Sequence, residues 1–212
     1  MKCGTTTLFN YLAQHPDVFV PTIKEVDWFS KRLISAEDYA ALFPAESAVR
    51  GELSPAYVYH IDDIAELCPD IKLILCVREP ITQFISALRH WRLANPGKAF
   101  DVVEMLTAYA AGYHPWQIVV YKPLIEKILY YGFPLHLINF DDLVHDQQTT
   151  FDRVADFLGV RRIAVDYIHA HSSEGREPAV LTPQQVAVLR RIHAASLEFL
   201  RQHYGIEFIE KV

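Results

Sequence analysis

Lys2-Cys3-Gly4-Thr5-Thr6-Thr7 gathers an ammonium, a glycine turn and three hydroxyls immediately before the amphipathic positions Leu8, Tyr11 and Leu12. If a helix starts there, its unpaired N–H groups and the positive end of its dipole face the turn, and such an end binds anions. The same residues also suit a plain threonine N-cap beside a frayed lysine, because hydroxyl side chains are the commonest caps. The lysine precedes the glycine, unlike GxxxxGK[ST], and no magnesium-binding pattern follows, so ordinary ATP or GTP hydrolysis is not expected. A second candidate is Cys76-Val77-Arg78-Glu79-Pro80, followed by a helical pattern carrying Ser86 and Arg89. In open α/β sheets ligands collect at the carboxyl ends of strands, so Arg78 leaves a strand where a phosphate would sit. Its plainer reading is a pair with Glu79 or a surface carboxylate, with Ser86 as a small packing residue.

The elements that must hold these groups are legible from periodicity. Ile71 to Val77 is a nearly continuous apolar run rich in branched residues, as expected of a strand buried on both faces of a parallel sheet, and Leu135 to Asn139 is a second. Helical patterns cover 5–14, 36–43, 61–67, 80–94, 101–111, 118–131, 147–158 and 183–203. Thr182-Pro183-Gln184-Gln185 supplies an N-cap hydroxyl, a first-turn proline and a capping-box glutamine. Gly132, Gly159 and Gly205 are placed as helix exits, and Pro123 should kink or restart the 118–131 helix. Strands alternating with helices mean an α/β fold.

Composition sets the frame. With 212 residues and no linker or repeat, a single domain over 1–212 is expected. The 26 acidic residues against 20 Lys and Arg leave a formal charge of −6, which argues against a nucleic-acid partner while permitting a local basic pocket. Cys3, Cys68 and Cys76 form no CxxC pair, so neither a disulfide framework nor a cysteine zinc site is suggested, and no His/Asp/Glu cluster has metal-ligand spacing. With no membrane span and no leader peptide in view, a cytoplasmic location is expected.

Taken together, these segments resemble the sulfotransferases that use 3′-phosphoadenosine 5′-phosphosulfate (PAPS). Their 5′-phosphosulfate loop reads PKxGTTxL, matched from Lys2 to Leu8; their 3′-phosphate element is a strand ending in Arg, then Pro and a helical Ser, matched by Arg78, Pro80 and Ser86. His15-Pro16, Lys24-Glu25 with Trp28-Phe29, Gly51-Glu52-Leu53-Ser54-Pro55-Ala56-Tyr57, and Phe140 to Leu143 through Phe157 to Val160 follow in order. The likeness is greatest to the branch containing heparan-type glycan sulfotransferases and many bacterial enzymes. It implies a three-layer P-loop-like α/β fold with a central, mostly parallel sheet flanked by helices.

The resemblance also implies roles. Lys2 would stabilise the departing phosphate, and the Cys3, Gly4, Thr5, Thr6 and Thr7 segment would hold the 5′-phosphate. Arg78 and Ser86 would bind the 3′-phosphate, joined by Gly175 and Arg176 from a late loop. Glu25 would take the proton from an acceptor hydroxyl of a small molecule, lipid or glycan, and no metal would be needed. Asp27 would lie on the same side of an extended segment as Glu25 and assist it; His15 and His60 are rival bases. Trp28, Phe29, Tyr57, Trp91 and Tyr113 are candidates for stacking on an acceptor. Two departures stand out. The family's first strand, before the lysine, is expected to be missing, and Leu53 stands where the glycan branch often has lysine. The rival expectations are a non-catalytic nucleotide-binding member of the fold and, more distantly, a P-loop kinase of a small metabolite.

Overall fold

A computed structural model describes residues 2–44, 46, 48–97, 101–111, 118–168 and 180–208. The chain divides into two compact units, each assembled from separate stretches: Met1–Cys3, Val77–Glu126 and His171–Val212 in the first, Gly4–Cys76 and Lys127–Ala170 in the second. The elements are α1 Thr5–Gln14, β1 Val18–Phe19, α2 Trp28–Lys31, α3 Ala36–Ala41, β2 Val49–Arg50, a 3-10 turn Pro55–Tyr59, α4 Ile61–Leu67, β3 Leu73–Val77, α5 Pro80–Ala94, α6 Val102–Ala110, α7 Tyr121–Tyr130, β4 Leu135–Asn139, α8 Phe140–His145, α9 Gln147–Leu158 and α10 Pro183–Tyr204.

The α/β fold carries its described strands as two pairs, β1 with β2 and β3 with β4. The first pair is parallel, with Val18 opposite Val49. Strand β3 begins two residues later than the apolar run suggests, just after Lys72. Its ammonium donates to the Phe157 and Leu158 carbonyls at 2.8 and 3.1 Å, capping the end of α9. In the second unit, α1 and α9 are joined by Tyr11, whose ring stacks on Phe151 with centroids 4.1 Å apart. Burial, reinforced by Asp152, pushes the Tyr11 phenol up to about 12.

In the first unit, α5, α6 and α10 enclose Ile81, Phe84, Leu88, Met105, Ile118, Leu181 and Leu189. Ile81, Phe84 and Leu88 recur at helical spacing along α5 and fix which of its faces looks inward. The termini follow local chemistry. Glu79 caps α5 by accepting from the Ile81 and Thr82 amides at 3.0 and 2.7 Å, while Thr182 and Gln185 complete the capping box of α10. Pro123 falls in the first turn of α7, which therefore starts at Tyr121 rather than at 118. No helix among the described residues is long and apolar enough to cross a membrane.

One buried histidine ties stability to pH. His193 on α10 is 2% exposed, its Nδ1 has no partner among the described residues, and burial lowers its pKa to about 4. The folded chain keeps the ring neutral, whereas the unfolded chain protonates it near 6.5. Stability is therefore fully present above about pH 6.5 and falls as the pH drops toward 4, by on the order of 3 kcal/mol over the window. Chemical denaturation of wild type and His193→Leu at pH 7 and pH 4.5 checks this: the variant should lose markedly less stability between the two. Equal losses would show that other groups govern the acid response.

Candidate active site

Within the first unit, Lys2 of the first expected segment meets Arg78 of the second. The Arg78 guanidinium donates from Nη1 to the Lys2 carbonyl at 3.0 Å and from Nε to Thr82 Oγ1 at 3.3 Å. Glu79 does not take the part of Arg78's ion-pair partner that the plain sequence reading offered, since both its oxygens cap α5. The junction is held by a residue that sequence reasoning missed. Tyr121 Oη accepts the Arg78 amide N–H at 3.0 Å, donates to the Arg78 carbonyl at 3.0 Å and lies 3.8 Å from Cys3 Sγ. Burial first, and then the Cys3 thiol, hold this phenol well above the usual range, so it remains a neutral donor. In the sequence Tyr121 was visible only as one position of the 118–131 helical pattern; its partners lie 43 and 118 residues away.

Gly4 opens α1 as its N-cap, with φ of 89° and no side-chain cap, so the threonines are not spent on capping that end. Thr7 is buried, while Thr5 and Thr6 are half-buried. A Cβ at Gly4 would lie 2.5 Å from Leu143 Cδ2 and 3.2 Å from Phe140 Cδ2. The turn therefore requires glycine for two reasons, the left-handed backbone and the close approach of α8. A turn of this kind can bring backbone N–H groups up to an anion.

A second cluster belongs to the second unit. Lys24 Nζ lies 3.3 Å from Glu25 Oε1, and the Glu25 side chain is 27% exposed. Asp27 does not sit on an extended segment beside Glu25, as alternation had implied. Its φ of 54° is left-handed, it opens α2, and its Oδ2 binds Lys31 at 2.9 Å while Oδ1 is buried without a partner among the described residues. A half-buried hub orders this loop: the Glu52 carboxylate accepts from the Tyr39 hydroxyl at 2.6 Å, from Ser54 Oγ at 2.9 Å and from Tyr57. Ser54 Oγ in turn accepts the Asp27 amide at 3.1 Å, and the Tyr57 hydroxyl accepts the Phe29 amide at 3.3 Å. Burial and the bond to Glu52 raise both phenols above their usual values. Trp28 and Phe29 are core residues, with Trp28 stacked on Tyr39 at 4.7 Å, rather than platforms facing solvent.

The rival bases are engaged in structural bonds. His15 is buried, its Nδ1 accepts the Asp17 amide at 3.1 Å and its Nε2 therefore donates to the Arg161 carbonyl at 2.8 Å. His60 opens α4 and binds Asp63 at 3.0 Å. Gly175, Arg176 and Tyr113 lie outside the described residues. A cavity of about 460 Å³ in the first unit is lined by Glu79, Ile81, Arg190, Glu198, Arg201 and Phe208. Ile81 lies about 140° around α5 from Ser86, so this opening is on the core side of the helix and not on its Ser86 side.

The α/β fold thus carries a glycine-turned helix start, an arginine at the end of a strand and a serine on the helix that follows. The model of the Sulfotransferase family matches residues 38–163, a span that includes Arg78 and Ser86, and the chain belongs to that family. Human heparan sulfate glucosamine 3-O-sulfotransferase 6 is 28% identical over 179 residues, covering 78% of this chain and 52% of the relative. Mouse heparan sulfate glucosamine 3-O-sulfotransferase 3A1 is 30% identical over 179 residues, covering 78% and 45%. The chain thus spans about half the length of these curated relatives. A crystal structure of a sulfotransferase from Alicyclobacillus acidocaldarius superposes with a TM-score of 0.77 at 21% identity, covering 98% of this chain and 93% of that one, which establishes the shared fold.

Proposed function

We propose that this chain transfers a sulfuryl group from PAPS to an acceptor hydroxyl, with a glycan as the acceptor class that the names of its heparan sulfate relatives suggest. The observation that carries the reading is the 3.0 Å bond from Arg78 to the Lys2 carbonyl, which joins the two segments assigned to the two phosphates. When bound, PAPS supplies an activated sulfuryl group, whose sulfur gains a bond to the acceptor oxygen as its bond to the phosphate oxygen breaks. Lys2 neutralises the charge growing on that departing oxygen, a cationic role familiar from phosphoryl transfer. The Gly4 turn and the Thr5, Thr6 and Thr7 segment hold the 5′-phosphate through backbone N–H groups and hydroxyls. Arg78 and Ser86 bind the 3′-phosphate, with Gly175 and Arg176 completing that end. Glu25 uses Oε2 to take the acceptor proton while Oε1 stays with Lys24, and Glu52 with its hydroxyl partners keeps that loop in place.

The test is transfer of radiolabel from ³⁵S-PAPS to a panel of an unsulfated heparan-type glycan, a phenol and a long-chain alcohol, alongside calorimetric titration with 3′-phosphoadenosine 5′-phosphate (PAP). The expected result is PAP binding in the micromolar range with label appearing in the glycan. PAP binding without label in any acceptor would leave a nucleotide-binding member without transferase activity. Neither heat nor a thermal shift at millimolar PAP would remove the donor site altogether.

A further inference from the structure

Helix α5 carries a polar row that the proposed function uses only in part. Thr82, Ser86 and Arg89 follow Arg78 at intervals of four, four and three, so they share one side of the helix, away from Ile81, Phe84 and Leu88. All three are half-buried. The bond from Arg78 Nε to Thr82 Oγ1 lays the first guanidinium onto the start of this row. Helical side chains lean toward the N-terminus of their helix, so a long side chain at Arg89 covers the turn that contains Ser86. Along this row Ser86 thus stands between the residue that binds the Arg78 guanidinium, Thr82, and Arg89.

Arg89 differs from the other described arginines in one respect. Its Nε is buried and has no hydrogen-bond partner among the described residues. A desolvated N–H on a permanent cation is costly to leave unmet, and an anion with several acceptor oxygens is the group that relieves it. A phosphate monoester fits, because its three terminal oxygens can take Ser86 and one donor from each arginine at once.

We propose that Arg89 is a further ligand of the donor's 3′-phosphate, reading it together with Arg78 and Ser86. This rests on the PAPS reading of the site. Arg89 then contributes to discrimination: it favours nucleotides bearing a 3′-phosphate over those bearing only the 5′ group, because the latter leave its buried Nε unmet.

The experiment is calorimetric titration of wild type, Arg89→Gln and Arg89→Lys with PAP and with adenosine 5′-monophosphate. Wild type should prefer PAP by about 100-fold or more, Arg89→Gln should lose about tenfold of its PAP affinity while binding the monophosphate unchanged, and Arg89→Lys should fall between. The preference ratio is the readout, since general loosening of α5 would weaken both ligands together. If Arg89→Gln does not fold, Arg89→Lys decides alone: a preference reduced by about threefold or more supports the role, and an unchanged preference overturns it. Equal losses for both nucleotides, or no loss for either, also overturn it. A wild type that does not prefer PAP overturns the donor reading itself and this assignment with it.

Discussion

Gly4→Ala should abolish measurable PAP binding while leaving most of the fold standing. A methyl group there must enter a space 2.5 Å from Leu143 Cδ2, and Leu143 is 1% exposed and cannot swing away. The residue must also keep a left-handed φ of 89°, which costs an L-residue about 1–2 kcal/mol, and crowding a packed core adds about 1–3 kcal/mol. The cheaper response is for the turn to move away from α8, carrying Lys2 and the first amides of α1 with it. A displacement near 1 Å in a positioning element costs about 100-fold in function. Titration with PAP and a thermal melt, run together, separate the outcomes. A lowered melting temperature with binding lost is expected; unchanged PAP affinity would mean that the turn is not where the 5′-phosphate rests.

Glu25→Gln should reduce transfer by about 10²–10⁴-fold with little change in PAP affinity. The amide keeps the size of the carboxylate, and its oxygen still accepts from Lys24, so the pair seen at 3.3 Å survives in altered form. What it cannot do is receive a proton. The measurement is kcat and KM for PAPS at saturating acceptor beside the dissociation constant of PAP. Loss confined to kcat supports Glu25 as the base, whereas full activity would assign proton removal elsewhere in the second unit's polar cluster. Asp27 is poorly placed to serve as that base, with one carboxylate oxygen bound to Lys31 and the other buried.

Long helices with distinct ends were open to sequence reasoning. The bounds of α1, α5 and α9 agree with the periodic patterns because Gly4, Pro80 and Gly159 punctuate them, and α10 follows from its capping box. Short elements were not. Strands β1 and β2 have two residues each, α2 has four, and the Pro55–Tyr59 turn has five, too few for any period to register. The left-handed start of α2 explains why alternation misplaced Asp27. Of the proposed site, Lys2, Gly4 and Arg78 could be put forward from residue type and position, since each bears its chemistry locally. Tyr121 could not, because its importance lies in Arg78 and Cys3, partners that only the folded chain supplies, and Glu52 stood out only as part of the Gly51–Tyr57 likeness, without its bond to Tyr39.

On the proposed PAPS reading, the phenol at Tyr121 has a bearing on how the nucleotide is received. Both polar groups of the Arg78 backbone are already engaged before any ligand arrives, so this stretch has little conformational freedom left to surrender on binding. Under that reading, association at that end is a docking onto a rigid rest rather than the moulding of a slack loop, and the expected speed of capture is one set by diffusion and charge instead of by rearrangement.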